Sequence, residues 1–268
     1  MQKRHVIVLA QGQQNRLPEL PCPKQMMALP LCAGVPIIAR TLMMVRELDP
    51  IARITVVCKR GMYEPMFHWR PRAAAPDAGN ALDKVLQLAG DIELEQHELP
   101  DPGNSSLKGL GRYLDHRHDV IHQDALDFDP AQTVVLLGDC VYSWRCMGLL
   151  FSDAIPYNFV GTSNLSESDG ELWGITWRKD AHDPLIQWLK KALRKHPPFA
   201  AYQCGQLRQW LFTARAELDP QPVLYTSVDD YTKDFDVPAD LEVLYQTSGR
   251  AGLDDALHFI RWPTDEGQ

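Results

Sequence analysis

Three short stretches carry side chains able to work on phosphate. The first, "HVIVLAQGQQNRLPELPCPKQ" (residues 5–25), is an apolar run followed by a loop that holds Gly12, Arg16 and Lys24. Gly12 permits close backbone approach or a positive φ angle. Arg16 can grip a phosphate with two parallel hydrogen bonds, and Lys24 can supply a mobile point charge. The spacing matches neither GxxxxGK[ST] nor GxGxxG, so this is neither a Walker loop nor a dinucleotide fingerprint. A surface loop with two solvated cations accounts for the same residues. The second stretch, "VVLLGDCVYS" (134–143), is a buried run that ends in Gly138-Asp139. A carboxylate there suits Mg2+, which takes one or two carboxylates together with substrate phosphates. A capping aspartate in a tight turn is the plainer reading. The third, "DFDVPADLEVL" (234–244), has Asp234 and Asp236 ahead of Pro238 and Asp240. By itself it reads as helix capping and dipole compensation.

Four further features have plainer explanations. Ser105 in "GNSSLKGL" (103–110) has the place of a helix N-cap. His116, His118 and His122 in "HRHDVIH" read as a solvated surface cluster rather than a metal site. Alternation in "ELWGITW" puts Trp173 and Trp177 on one face of a strand, as core. The basic stretch "LKKALRK" (189–195) reads as a solvated helix face or a subunit contact, so a homodimer is compatible with the sequence.

The elements that must position these residues alternate along the chain. Continuous apolar runs at 5–10, 53–58 and 133–137 predict strands covered on both faces. Helical spacing over 35–48 puts Ile38, Leu42 and Met44 or Val45 on one face, with Pro36 near its start. Helices are also predicted at 80–88, 105–114, 184–195 and 206–213, and one begins at 238–245. Residues 184–195 carry Leu185, Trp188, Leu189 and Leu193 on one side. Further strands are predicted at 92–99, 158–162, 172–177 and 223–228. Such alternation implies an α/β layered fold with a mostly parallel sheet.

Composition narrows the partners. The 268 residues carry a net charge of -8, which argues against general binding to nucleic acid or anionic membrane. A phosphorylated small molecule can still be bound by a few focused cations. The apolar run after Met1–His5 is too short for a signal peptide, and no stretch reaches the length of a membrane span. The six cysteines form no CxxC pair and read as reduced thiols, so a cytoplasmic location is expected.

Taken in order, "LAQGQQNRL", "PCPKQMMAL", "GVPIIARTL", the Gly-Asp strand and the late "DFDVPADL" resemble the nucleotidyltransferases with a glycosyltransferase-A-type fold. These are the sugar-phosphate nucleotidylyltransferases and the related cytidylyltransferases. The matching residues are Leu9, Ala10, Gly12, Arg16, Leu17, Pro23, Lys24, Gly34, Pro36 and Ile37. The chain departs from the pattern at Gln11, where alanine is usual, at Gln14, where a second glycine is usual, and at Val237, where threonine is usual.

The resemblance implies a three-layer α/β/α Rossmann-like fold with a mostly parallel central sheet. No linker is apparent, so one domain is expected over 1–262, with a nucleotide-binding half (1–150) and an acceptor-binding half (151–262) that brings the second metal ligand, and the polar tail over 263–268 is expected to be loose. The resemblance also implies Mg2+ on Asp139 and Asp236, with Asp234 the nearby alternative. Nucleotide contacts fall on Leu9, Ala10, Gln11, Gly12 and Gln14, and catalytic cations on Arg16 and Lys24. Ser105 matches a serine that touches the base in cytidylyltransferases, which tilts the expected NTP toward CTP. The implied reaction transfers NMP from an NTP to a phosphorylated small acceptor with release of pyrophosphate. The alternatives are a glycosyltransferase of this fold that uses a sugar nucleotide, and a non-catalytic nucleotide-binding regulator.

Overall fold

A computed structural model describes residues 4–10, 37–58, 92–96, 130–152, 155–162, 171–195 and 205–234. The elements, in chain order, are β1 (Arg4–Leu9), α1 (Ile37–Leu48), β2 (Arg53–Cys58), β3 (Ile92–Gln96), β4 (Gln132–Leu137), β5 (Cys140–Val141) and α2 (Trp144–Leu150). They continue with β6 (Tyr157–Gly161), β7 (Leu172–Arg178), α3 (His182–Lys195), α4 (Gly205–Glu217), β8 (Val223–Ser227) and β9 (Lys233–Asp234).

One seven-stranded sheet has the order β3-β2-β1-β4-β7-β6-β8. Neighbours are parallel except at β7, which runs against both β4 and β6. Strands from both halves of the chain therefore share one sheet, and the expectation of a mostly parallel sheet holds.

The apolar runs are continuous because successive side chains enter two different cores. Val6 and Val8 of β1, Ile54 and Val56 of β2, and Val134 and Leu136 of β4 pack with α1 and α2. Ile7, Val57 and Val135, pointing the other way, pack with Leu185, Ile186, Trp188 and Leu189 of α3 and Leu211 and Ala214 of α4. A strand with helices on both faces has no polar side, so no alternation shows in its sequence. The architecture is three-layered, α/β/α.

One expectation is corrected. Trp173 and Trp177 are both buried, but they lie in opposite cores. A β-bulge separates them. Val160 pairs with Gly174 whereas Gly161 pairs with Leu172, which leaves Trp173 as the extra residue. The bulge resets the alternation and turns Trp173 to the α1/α2 side. Gly174 next to it carries no side chain, and a Cβ there would meet Val135 O and Leu150. Among the described residues, no helix is long and apolar enough to cross a membrane.

Candidate active site

In a sheet of this kind ligands bind beyond the carboxyl ends of the parallel strands. β1 and β4 are adjacent and in register up to Leu9 and Leu137. The end of β1 is held from both sides: the Ala10 N–H donates to Val57 O at 2.9 Å, and Leu9 O accepts the Gly138 N–H at 2.8 Å. Leu9 and Ala10 thus stand directly beside Gly138-Asp139. A Cβ on Gly138 would lie 2.7 Å from the Ala10 Cβ, so glycine is what lets the two strand ends close up. Gln11, Gly12, Gln14, Arg16 and Lys24 follow this fixed point in sequence and lie outside the described residues, as does Ser105.

Asp139 occupies the turn between β4 and β5. The structure brings the late acidic stretch to that turn through a short antiparallel ladder: Cys140 faces Asp234, and Val141 faces Lys233. Directly opposed residues of such a ladder have their Cβ atoms about 5 Å apart. Residues 139 and 234, far apart in sequence, are thereby neighbours at the carboxyl edge. Asp236, the expected second ligand, lies two residues further along and outside the described residues.

The electrostatics of the edge are read by a buried thiol. Burial pushes Cys140 well above its ordinary range; Cys146 and the carboxylates of Asp234, Asp139 and Glu171 push it the same way. Glu171 immediately precedes β7, which enters the sheet at this same edge because it runs against β4. Three carboxylates from three parts of the chain thus bear on one point. Among the described residues no group of three or more His, Cys, Asp or Glu side chains stands ready to hold a metal. Mg2+ needs fewer: one or two hard oxygen ligands complete its shell with water and phosphate. The hard carboxylate oxygens of Asp139 and Asp234 fit that ion.

Sequence reading missed the residues that build this edge. Two-residue strands such as β5 and β9 are too short to show a period. α2 had a readable signal, since Ser143 stands just before it; Ser143 Oγ accepts the Cys146 N–H at 2.9 Å as an N-cap. Tyr142 is fully buried and bonded at its hydroxyl to Leu137 and Trp173. Trp173 Nε1 is the buried side-chain polar atom left without a partner among the described residues.

No protein-family model matches the sequence, and no curated protein matches it. Solved structures do match along most of the chain. A UDP-glucose pyrophosphorylase in complex with UDP-glucose aligns at TM-score 0.56 and 14% identity, over 93% of this chain and 98% of its own. A chain described as a glucose-1-phosphate thymidylyltransferase from Bacillus anthracis aligns at 0.54 and 12%, over 91% and 95%. The 4-diphosphocytidyl-2C-methyl-D-erythritol synthase of Anaerococcus prevotii aligns at 0.53 and 13%, over 93% and 97%. The sheet order, the two helical layers and these alignments agree: the chain has the Rossmann-like fold of the sugar-phosphate nucleotidyltransferases.

Proposed function

We propose that the protein is an Mg2+-dependent nucleotidyltransferase that moves NMP from an NTP to a phosphorylated small acceptor, a sugar phosphate or a phospho-alcohol, and releases pyrophosphate. The observation that carries this reading is the β5–β9 ladder. It sets Asp139 beside the 234 segment, next to the end of β1, the strand that Arg16 and Lys24 follow in sequence. The fold neighbours are named for chemistry of this class, on glucose-1-phosphate in one case.

In this reading the NTP lies across the loop after β1, against Leu9, Ala10, Gln11, Gly12 and Gln14. Arg16 binds the β- and γ-phosphates and steadies the departing pyrophosphate. Lys24 offsets charge developing at the α-phosphorus. A phosphate oxygen of the acceptor attacks the α-phosphorus in line. The new P–O bond forms as the bond to the bridging oxygen of pyrophosphate breaks. No general base is required, because a phosphate acceptor is already ionised at neutral pH. The residues contribute mainly position and charge, which is what phosphoryl-type transfer needs. Asp139, with Asp236 or Asp234, would hold the cation, whose charge would lower the repulsion between the two reacting phosphates. Ser105 would touch the base, which favours CTP.

Thermal unfolding of the chain with Mg2+ and each of ATP, CTP, GTP and UTP tests the binding half of this reading. One NTP should raise the midpoint by several degrees, since ligand at 100 times its Kd contributes about 2.7 kcal/mol. Stabilisation by sugar nucleotides alone would favour the glycosyltransferase alternative. Stabilisation by no nucleotide would contradict the proposal.

A further inference from the structure

The turn that carries Asp139 is gripped from two sides by residues that no step above uses. From the core side, Tyr142 Oη accepts the Leu137 N–H at 2.6 Å. The same hydroxyl donates to Trp173 O at 2.8 Å, with Leu137 O a longer alternative at 3.3 Å. It thereby ties the last residue of β4 to β7 across the base of the Gly138-Asp139 turn. From the β9 side, Thr232 Oγ1 accepts the Ser143 N–H at 3.0 Å. Asp230 accepts the Ser143 hydroxyl at 2.6 Å and the Thr232 N–H at 2.7 Å. Arg40 of α1 donates to Tyr142 O at 2.7 Å, which also anchors the backbone just past β5.

A two-residue turn needs no such framework. A buried hydroxyl costs free energy unless it is bonded, and phenylalanine would fill the same space without that demand. What the framework does fix is the position of Asp139 relative to the segment at 234. We infer that Tyr142 is a positioning residue for Asp139, with Thr232 as its counterpart on the β9 side. The inference rests on the reading of Asp139 as a ligand of the cation. Groups that hold a metal ligand in place typically change metal affinity or activity by about 10- to 100-fold when lost.

Tyr142→Phe keeps the ring and deletes both hydroxyl bonds. Thr232→Val keeps the shape and deletes the bond to Ser143. These two, Asp139→Asn and the unmodified full chain would be compared by pyrophosphate release against Mg2+ concentration. Mn2+ binding, followed by its free-ion EPR signal with each NTP in turn, gives a readout besides activity. Amide hydrogen exchange at Leu137 reports the turn itself. Tyr142→Phe should raise the half-activating Mg2+ concentration and weaken Mn2+ binding by about 10-fold or more. Its Leu137 amide should exchange faster, and its KM for the NTP at saturating Mg2+ should stay near that of the unmodified chain. Thr232→Val should shift the Mg2+ and Mn2+ readouts the same way by less, and it carries the test alone if Tyr142→Phe does not fold.

The inference is overturned if the folded variants keep the normal Mg2+ requirement and Mn2+ affinity while Asp139→Asn is inactive; Tyr142 then only holds the fold. Full activity of Asp139→Asn would instead remove the ligand reading itself, and the inference with it.

Discussion

Gly138 decides how closely the two strand ends can approach. An added Cβ would meet the Ala10 Cβ at 2.7 Å, the Ala10 Cα at 3.1 Å and Leu9 O at 3.2 Å, none of them the end of a flexible chain. The backbone must shift to admit it. Gly138→Ala should therefore destabilise by about 1–3 kcal/mol in urea unfolding. Adding Ala10→Gly removes the nearest clashing atom, so the double variant should be more stable than the sum of the two single effects predicts. Strict additivity would show that the contact is not the cause. The Gly-Asp pair was legible in the sequence because it follows an unmistakable buried strand. The role of Tyr142 was not. A lone tyrosine after a strand reads the same whether its hydroxyl is idle or ties two strands together.

Among the elements, a single side chain on β1 joins several others. Arg4 donates to Gln132 of β4 at 2.6 Å, to Asp49 just past α1 at 3.0 Å and to Phe151 O just past α2 at 3.4 Å. Asp49 is only 3% exposed, so loss of its cation leaves a carboxylate poorly compensated in the interior. Arg4→Ala should cost about 3–5 kcal/mol in urea unfolding. Lys191→Ala, which breaks the solvent-exposed pair between α3 and Glu217, should cost less than about 1 kcal/mol by the same measurement. Equal costs would mean that burial does not set the value of these pairs.

The sequence legibility of the elements follows the same physics. β1, β2 and β4 declare themselves because both their faces are buried, and α1 and α3 because one face is. Ladder β5–β9 is invisible beforehand, since its two residues per strand carry no period and Lys233-Asp234 is polar. Alternation alone misplaces the face of Trp173 because a bulge changes the count by one, and nothing in "ELWGITW" marks where the extra residue falls. The predicted helices at 80–88, 105–114 and 238–245 lie outside the described residues.

At the scale of the whole molecule, the sheet binds the candidate nucleotide half and the candidate acceptor half through the β4–β7 pairing. The core beside that junction holds acidic groups that should make folding sensitive to alkali. Burial pushes the Cys146 thiol from 9.0 up to about 12. Cys140 and the Tyr142 hydroxyl are also raised, burial again being the largest cause. These groups hold their protons longer when folded than when unfolded. The contribution of Cys146 is therefore complete below about pH 9 and is lost as pH rises toward about 12, and the other two groups act in the same direction. Unfolding free energy should fall across that interval by up to about 1.4 kcal/mol per pH unit for each group that has ionised in the unfolded chain. A flat profile from pH 9 to pH 11 would contradict the buried, protonated state of these side chains.

In the proposed reaction Arg16, Lys24 and Asp139 work on one triphosphate. Pyrophosphate release with Mg2+, screened over the NTPs and a panel of sugar phosphates and phospho-alcohols, tests it most directly when the unmodified chain is run beside Lys24→Ala and Asp139→Ala. Release should require both an NTP and a phosphorylated acceptor, with turnover lower by orders of magnitude in each variant and thermal unfolding little changed. Near-normal release by either variant, or none from the unmodified chain with any pair, would contradict it.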